Sequence, residues 1–207
     1  MRKKVLVIMG IIVCLAIICI VVRFQWSSSS VDCTVKEMDN NAIKEKMIGS
    51  EPPRLLYADH SKVIFESVDI YVYDMVNKKL SKSFDVSTLL SEKYKECKYQ
   101  SRVSSDGKEL FIIFKEMSGA FKAAFNYSFQ SNKWKEMNES ECKRKEENSF
   151  ECTLIDASNK LSQVTSGYVV YLSEAEYFYL TFKDWKVSEI NIVYVNNDKK
   201  DVYKVFE

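Results

Sequence analysis

The chain has 207 residues, and its 30 lysines and arginines nearly balance 29 aspartates and glutamates. These charges are scattered, so no basic stripe points to nucleic acid and no acidic block points to a solvated tail. Glycine (5) and proline (2) are scarce while tyrosine (12) and phenylalanine (12) abound, a balance that favours regular structure rich in strand-forming aromatics.

Residues 5–22, VLVIMGIIVCLAIICIVV, form one apolar run. As a helix at about 1.5 Å per residue it reaches about 27 Å, close to the hydrocarbon thickness of a bilayer. Arg2, Lys3 and Lys4 precede it, which places the N-terminus in the cytoplasm and exports the residues beyond the run. The run is longer than the apolar core of a cleaved signal, about 7–15 residues. Neither Cys14 nor Cys19 comes after a small residue, as a lipidated cysteine would. The expected organisation is a cytoplasmic tip and uncleaved transmembrane anchor over 1–23, a stalk over 24–53 and an exported β domain over 54–207. The expected location is the cell membrane, single-pass, with a partner membrane protein on the exported side and no nucleic acid.

Within the stalk, residues 35–48 place Val35, Met38, Ala42 and Met47 near one helical face, with Gly49 as a stop. Pro52 and Pro53 then interrupt helix and ladder alike and mark the domain entrance. Beyond them come short apolar runs separated by turns. The first group covers 54–58, 62–66, 69–74 and 79–85; the second 99–104, 109–115, 122–129 and 133–137; the third 168–172, 177–183, 189–196 and 201–206. An extra run, 150–156, precedes the third group. Ile70-Tyr71-Val72-Tyr73 shows the period-two pattern of strands with distinct faces. Asp106-Gly107 is a strong turn signal, with weaker ones at Asn77-Lys78, Asn132-Lys133 and Asn197-Asp198. A short helix bridges groups one and two over 87–95.

Cys33, Cys97, Cys142 and Cys152 lie on the exported side, where disulfides form, and four cysteines allow three pairings. Cys142 and Cys152 flank a charged, turn-like stretch, so theirs is the easiest bridge to build; the alternative is unpaired thiols. With one histidine and no C-x-x-C pair, zinc is not expected, nor is any other cofactor.

His60 sits between Asp59 and Ser61, but neighbours on an extended chain point in opposite directions, so the three read as a surface turn and not as a triad. Asp156, Ser158 and Asn159 offer too few oxygens for a calcium loop. Glu174 and Glu176 read as an exposed turn. Asn126-Tyr127-Ser128 and Asn138-Glu139-Ser140 match the glycosylation sequon, which matters only in a eukaryotic host. Tyr168, Tyr171, Tyr177 and Tyr179 stand in the third group. Tyrosines on alternating strands commonly line sheet faces with their hydroxyls in water; the sharper reading makes this set a recognition surface for a protein or glycan.

Ser104-Ser105-Asp106-Gly107-Lys108-Glu109-Leu110 resembles the S-P-D-G-K-x-L turn of WD40-like repeats of the TolB type, with Ser105 where proline is usual. Asp69-Ile70-Tyr71-Val72-Tyr73-Asp74, followed by Lys79-Leu80, resembles the inner-to-outer strand turn of the same repeats. Residues 54–86 with 103–112 are also similar to exported regions that accompany β-lactam-sensor-type membrane metallopeptidase receptors of Gram-positive bacteria. The H-E-x-x-H motif of the peptidase half is missing, so the resemblance implies architecture and no enzymatic role. It implies four-stranded antiparallel meanders resembling β-propeller blades; the alternative is a β-sandwich. Closed propellers carry about four to eight blades, so the three groups stack openly, gain a fourth sheet from 142–156, or are completed by a second chain. The functional expectation is a non-catalytic, membrane-anchored binding or sensory module. The alternative is an extracytoplasmic hydrolase using scattered carboxylates, which assemble only in three dimensions.

Overall fold

The computed structural model describes residues 35–36, 53–155, 167–183 and 186–205, all within one unit, Asp32–Glu207. The expected anchor, nearly all of the stalk and residues 156–159 lie outside the described residues. Among the described residues no helix is long and apolar enough to cross a membrane.

The described chain is mostly β, with every strand pair antiparallel. The first sheet contains β2 (Arg54–Ala58), β3 (Lys62–Glu66), β4 (Ile70–Asp74) and β5 (Lys79–Phe84), in sequence order. A two-residue strand, β1 (Val35–Lys36), extends it beyond β5, pairing Val35 with Phe84 and Lys36 with Ser83. These two residues were expected to open a helix; they take a free sheet edge instead. The second sheet is β6 (Cys97–Val103), β7 (Glu109–Glu116), β8 (Phe121–Ser128) and β9 (Lys133–Met137). The third is β10 (Thr153–Ile155), β11 (Gly167–Ser173), β12 (Glu176–Lys183), β13 (Lys186–Tyr194) and β14 (Lys199–Lys204). Pairing within each four-strand group runs between sequence neighbours, because short polar turns return each strand beside the last.

The turns are built where local chemistry allows them. Lys78, Gly107, Asn132 and Asp198 all have φ between 52° and 68°, the left-handed conformation that tight hairpins demand. Asp74 fixes its turn by accepting hydrogen bonds from the backbone amides of Val76 and Asn77, both at 2.9 Å. Helix α1 (Val86–Glu92) is capped by Asp85, which accepts from the amide of Thr88. Helix α2 (Glu139–Glu146) replaces the expected turn-like stretch after Cys142. Asn138 and Glu141 close a reciprocal capping box at its start, and three cations occupy its last turn.

The first sheet is the middle layer. Leu55, Ala58, Val63, Phe65, Tyr71 and Tyr73 face the third sheet and share a core with Val170, Phe178, Ile190 and Ile192. The alternate residues Ile64, Ile70, Val72 and Phe84 are equally buried on the other side. There Phe84 meets Tyr127 and Trp134 of the second sheet, with ring centroids 4.8 and 5.5 Å apart. Helix α2 covers the far face of the second sheet, seating Cys142 among Phe111, Ile113, Ala124 and Met137. The described residues 142–155 therefore supply no fourth sheet. Asn148, Ser149 and Phe150 run along the end of β6, where the Phe150 amide donates to the Val103 carbonyl, and β10 then lines the edge of β11. This one segment covers the inner edges of two sheets.

Candidate functional site

The outer face of the third sheet carries the expected tyrosines. Register sets Tyr171, Tyr177, Val193 and Lys200 in one row across the strands, and Val169, Tyr179, Asn191 and Val202 in the next. The rings of Tyr171 and Tyr177 lie 5.9 Å apart, those of Tyr177 and Tyr179 6.2 Å, and the Lys200 ammonium sits 5.3 Å from the Tyr179 ring. Strand alternation thus brings three of the four candidates to one face. Tyr168 lies in β11 opposite Leu154. Exposure divides the set: Tyr171 is 44% exposed, whereas Tyr177 and Tyr179 are buried at 3% and 6%. Burial, with Tyr179 and Tyr171 beside it, pushes the Tyr177 phenol pKa up. Asn191, missed in the sequence, is fully buried between the tyrosines and Val202. Its amide nitrogen donates to Thr181 Oγ1 at 2.8 Å, while Oδ1 lacks a partner.

A second concentration of polar groups lies at one end of the stack, where the β2–β3, β6–β7 and β11–β12 turns meet. Lys62 donates its ammonium to the Gly107 carbonyl and lies 4.6 Å from the Phe129 ring. Tyr57 donates to Asp59 at 2.8 Å, and its ring closes over Gly107 so tightly that a Cβ there would fall 2.4 Å from it. Burial pulls the Asp59 pKa up, but hydrogen bonds from Ser61, Tyr57 and Lys62 outweigh it and hold the carboxyl below its ordinary range. Asp106, held by the Ser104 hydroxyl and the Lys108 amide, is well below that range. His60 is the turn residue expected from sequence, 64% exposed, yet its Nε2 lies 3.3 Å from Glu176. Glu176 is correspondingly not in an exposed turn: it opens β12 and is largely buried, while Glu174 stays exposed.

The third set sits between the first and second sheets. Arg54 donates to Glu66 at 2.7 Å and to Ser101 at 2.9 Å; Tyr99 donates to the other Glu66 oxygen at 2.9 Å, and Ser101 donates to Glu66 as well. Burial and the Glu66 carboxylate push the Tyr99 phenol pKa up. None of these four stood out in sequence. The available signal was hairpin arithmetic, since a turn centred on His60 sets Arg54 opposite Glu66; their partners in β6 are invisible without the sheet packing.

Cys142 and Cys152 are free thiols, as is Cys97. The fold separates them: Cys142, inside α2, faces the outer side of the second sheet, whereas Cys152 packs against the core between the first and third sheets. Burial pushes the Cys142 thiol up to about 11 and that of Cys152 up to about 12, so neither is a nucleophile near neutrality. Beside α2, Glu109 accepts from Asn126 at 2.8 Å and from Lys145. Burial raises its pKa, and the Lys145 and Asn126 contacts outweigh that to hold it below the usual range. Asn126, the first sequon asparagine, is buried; Asn138, the second, is exposed as the α2 cap. Among the described residues no three His, Cys, Asp or Glu side chains gather as metal ligands.

Comparison of the chain with known protein families, with curated proteins and with solved structures yields no match.

Proposed function

We propose that this chain is a membrane-anchored extracytoplasmic binding or sensory module whose recognition element is the outer face of the third sheet. The observation that carries the reading is the pair of exposed margins of this face, Tyr171 on β11 and Lys200 with Val202 on β14, which flank the buried Tyr177, Tyr179 and Val193. Tyr171 and Val202 are exposed beside buried tyrosines, a rigid aromatic arrangement of the kind enriched at interfaces. Polar clusters elsewhere fasten sheet to sheet: Arg54 with Glu66 and Ser101, Lys62 with Gly107, His60 with Glu176. Such a division suits a scaffold that presents a surface.

In this reading the three sheets are blades of an open propeller-like stack, like WD40-like repeats of the TolB type. The meeting of equivalent first turns at one end supports it, because blades of one ring share such an end. In space the order is third, first, second, so the first sheet is flanked on both sides as an interior blade would be.

The test is a photo-crosslinking residue placed at position 171 of the full chain in its native membrane, with position 76, an exposed turn, as reference. The expected result is a discrete protein adduct at 171 and none at 76. Equal, diffuse labelling at both would sink the recognition surface.

A further inference from the structure

The strand directions fix where the chain enters the domain. β1 runs antiparallel to β5 with Val35 opposite Phe84, so the residues before Val35 leave at the end where β5 gives way to α1. The β7–β8 turn lies at this same end, because Cys97, just after α1, pairs with Glu116. Between α1 and that turn lies an open groove of about 570 Å³, lined by Lys93, Lys95 and Lys122 and by Glu92, Glu96 and Glu116. On the other side of the turn a second groove, about 410 Å³, begins at Lys98.

Charge and apolar exposure coincide here. Met117, at the turn's tip, is 66% exposed, one of few large apolar side chains so presented. Lys122 is paired with Glu116 and Lys115 with Glu146. Lys93, Lys95 and Lys98 are exposed and form no ion pair among the described residues; Glu92 and Glu96 are their acidic neighbours. Between the apolar run 5–22 and Val35 lie residues 23–34, which at full extension reach about 40 Å.

We propose that this end of the domain is a membrane-apposed surface that binds anionic lipid headgroups through Lys93, Lys95 and Lys98, with Met117 dipping into the interface. The proposal rests on the membrane-anchored reading of the chain. The chain enters the domain at this end, and lysines without ion-pair partners among the described residues, placed around an exposed apolar tip, are the groups that a negatively charged lipid surface attracts.

The experiment uses the full chain reconstituted with phosphatidylcholine vesicles, with and without phosphatidylglycerol. A genetically encoded environment-sensitive fluorophore is placed at position 117 or, as reference, at position 76. The chain should float with both vesicles. The fluorophore at 117 should shift to the blue and be quenched by lipid-borne nitroxides only with phosphatidylglycerol, and the one at 76 should remain in water. Reversing Lys93, Lys95 and Lys98 to Glu should weaken the response at 117 by about fivefold or more per lysine, with flotation and the far-UV spectrum unchanged. If the chain floats but position 117 behaves like position 76, or inserts regardless of lipid charge, the proposal is overturned. If the chain does not float, the anchored reading falls and takes the proposal with it.

Discussion

The middle sheet meets its two neighbours by different physics. Against the third sheet it lays down an apolar layer, Leu55, Val63, Phe65, Tyr71 and Tyr73 upon Val170, Phe178, Ile190 and Ile192. Against the second it combines an aromatic cluster around Phe84 and Tyr127 with the Arg54–Glu66–Tyr99–Ser101 network and the Lys62–Gly107 contact. Apolar packing is non-directional, so it stabilises by area and tolerates small shifts. Hydrogen-bonded charges contribute little net free energy but are costly to mismatch, so they fix one alignment. Both interfaces therefore supply cohesion, since Ile64, Ile70, Val72 and Phe84 are as buried as the opposite face, and the one with the second sheet adds the polar network that fixes register.

The largest expected effect tests the cohesive side. Phe178→Ala removes a fully buried ring at the centre of the apolar interface and should cost about 3–5 kcal/mol, read as a lowered urea midpoint. A loss below about 1 kcal/mol would mean that this layer is not the main source of stability. Next comes the register side at its tightest point. Gly107 has φ +68° and the Tyr57 ring against it, so Gly107→Ala combines backbone strain with overpacking and should cost about 2–4 kcal/mol, again read from the urea midpoint.

A smaller effect distinguishes directional from cohesive energy. Glu66→Gln leaves Arg54, which is 31% exposed, partly stranded; solvent screening limits the loss to about 1–2 kcal/mol. The double variant Arg54→Met with Glu66→Leu should stay as destabilised as the single one, because Tyr99 and the buried Ser101 lose their carboxylate acceptor in both. Full recovery would show that the network contributes alignment and no net stability.

Acid should loosen the polar contacts before the apolar interface. Asp59 and Glu109 have folded-state pKa values below the ordinary ones, so each adds stability above about pH 4. That contribution is lost as pH falls through the folded values. Asp59→Asn and Glu109→Gln should therefore flatten the acid limb of a stability–pH curve, and an unchanged limb would count against these contacts. The smallest effect concerns the thiols. At pH 8, peptide mapping after brief alkylation should find Cys142 and Cys152 unmodified and unbridged. Because their folded-state values, about 11 and about 12, lie above that of an unfolded thiol, the stability they add is full below about pH 8.5 and is lost as pH rises from there through those values.

Sequence by itself determined the strands, the three four-strand groups and the turns at Lys78, Gly107, Asn132 and Asp198. These are local properties: period-two alternation and residues that accept or promote a left-handed φ act within a few positions. It also held a helix signal that the charged stretch after Cys142 obscured, since Asn138, read as a sequon asparagine, forms a capping box with Glu141. Only the tertiary structure decided that the first sheet lies between the other two. Runs such as Lys62–Glu66 are apolar at every interior position, so alternation says that both faces are covered but not by what. The partners of Glu66 and Arg54 stand 33 and 47 residues away, and no local pattern encodes a contact at that distance. The same holds for the tyrosines. Alternation put Tyr171, Tyr177 and Tyr179 on one face, and only the packing around that face buried two of them and left Tyr171 exposed.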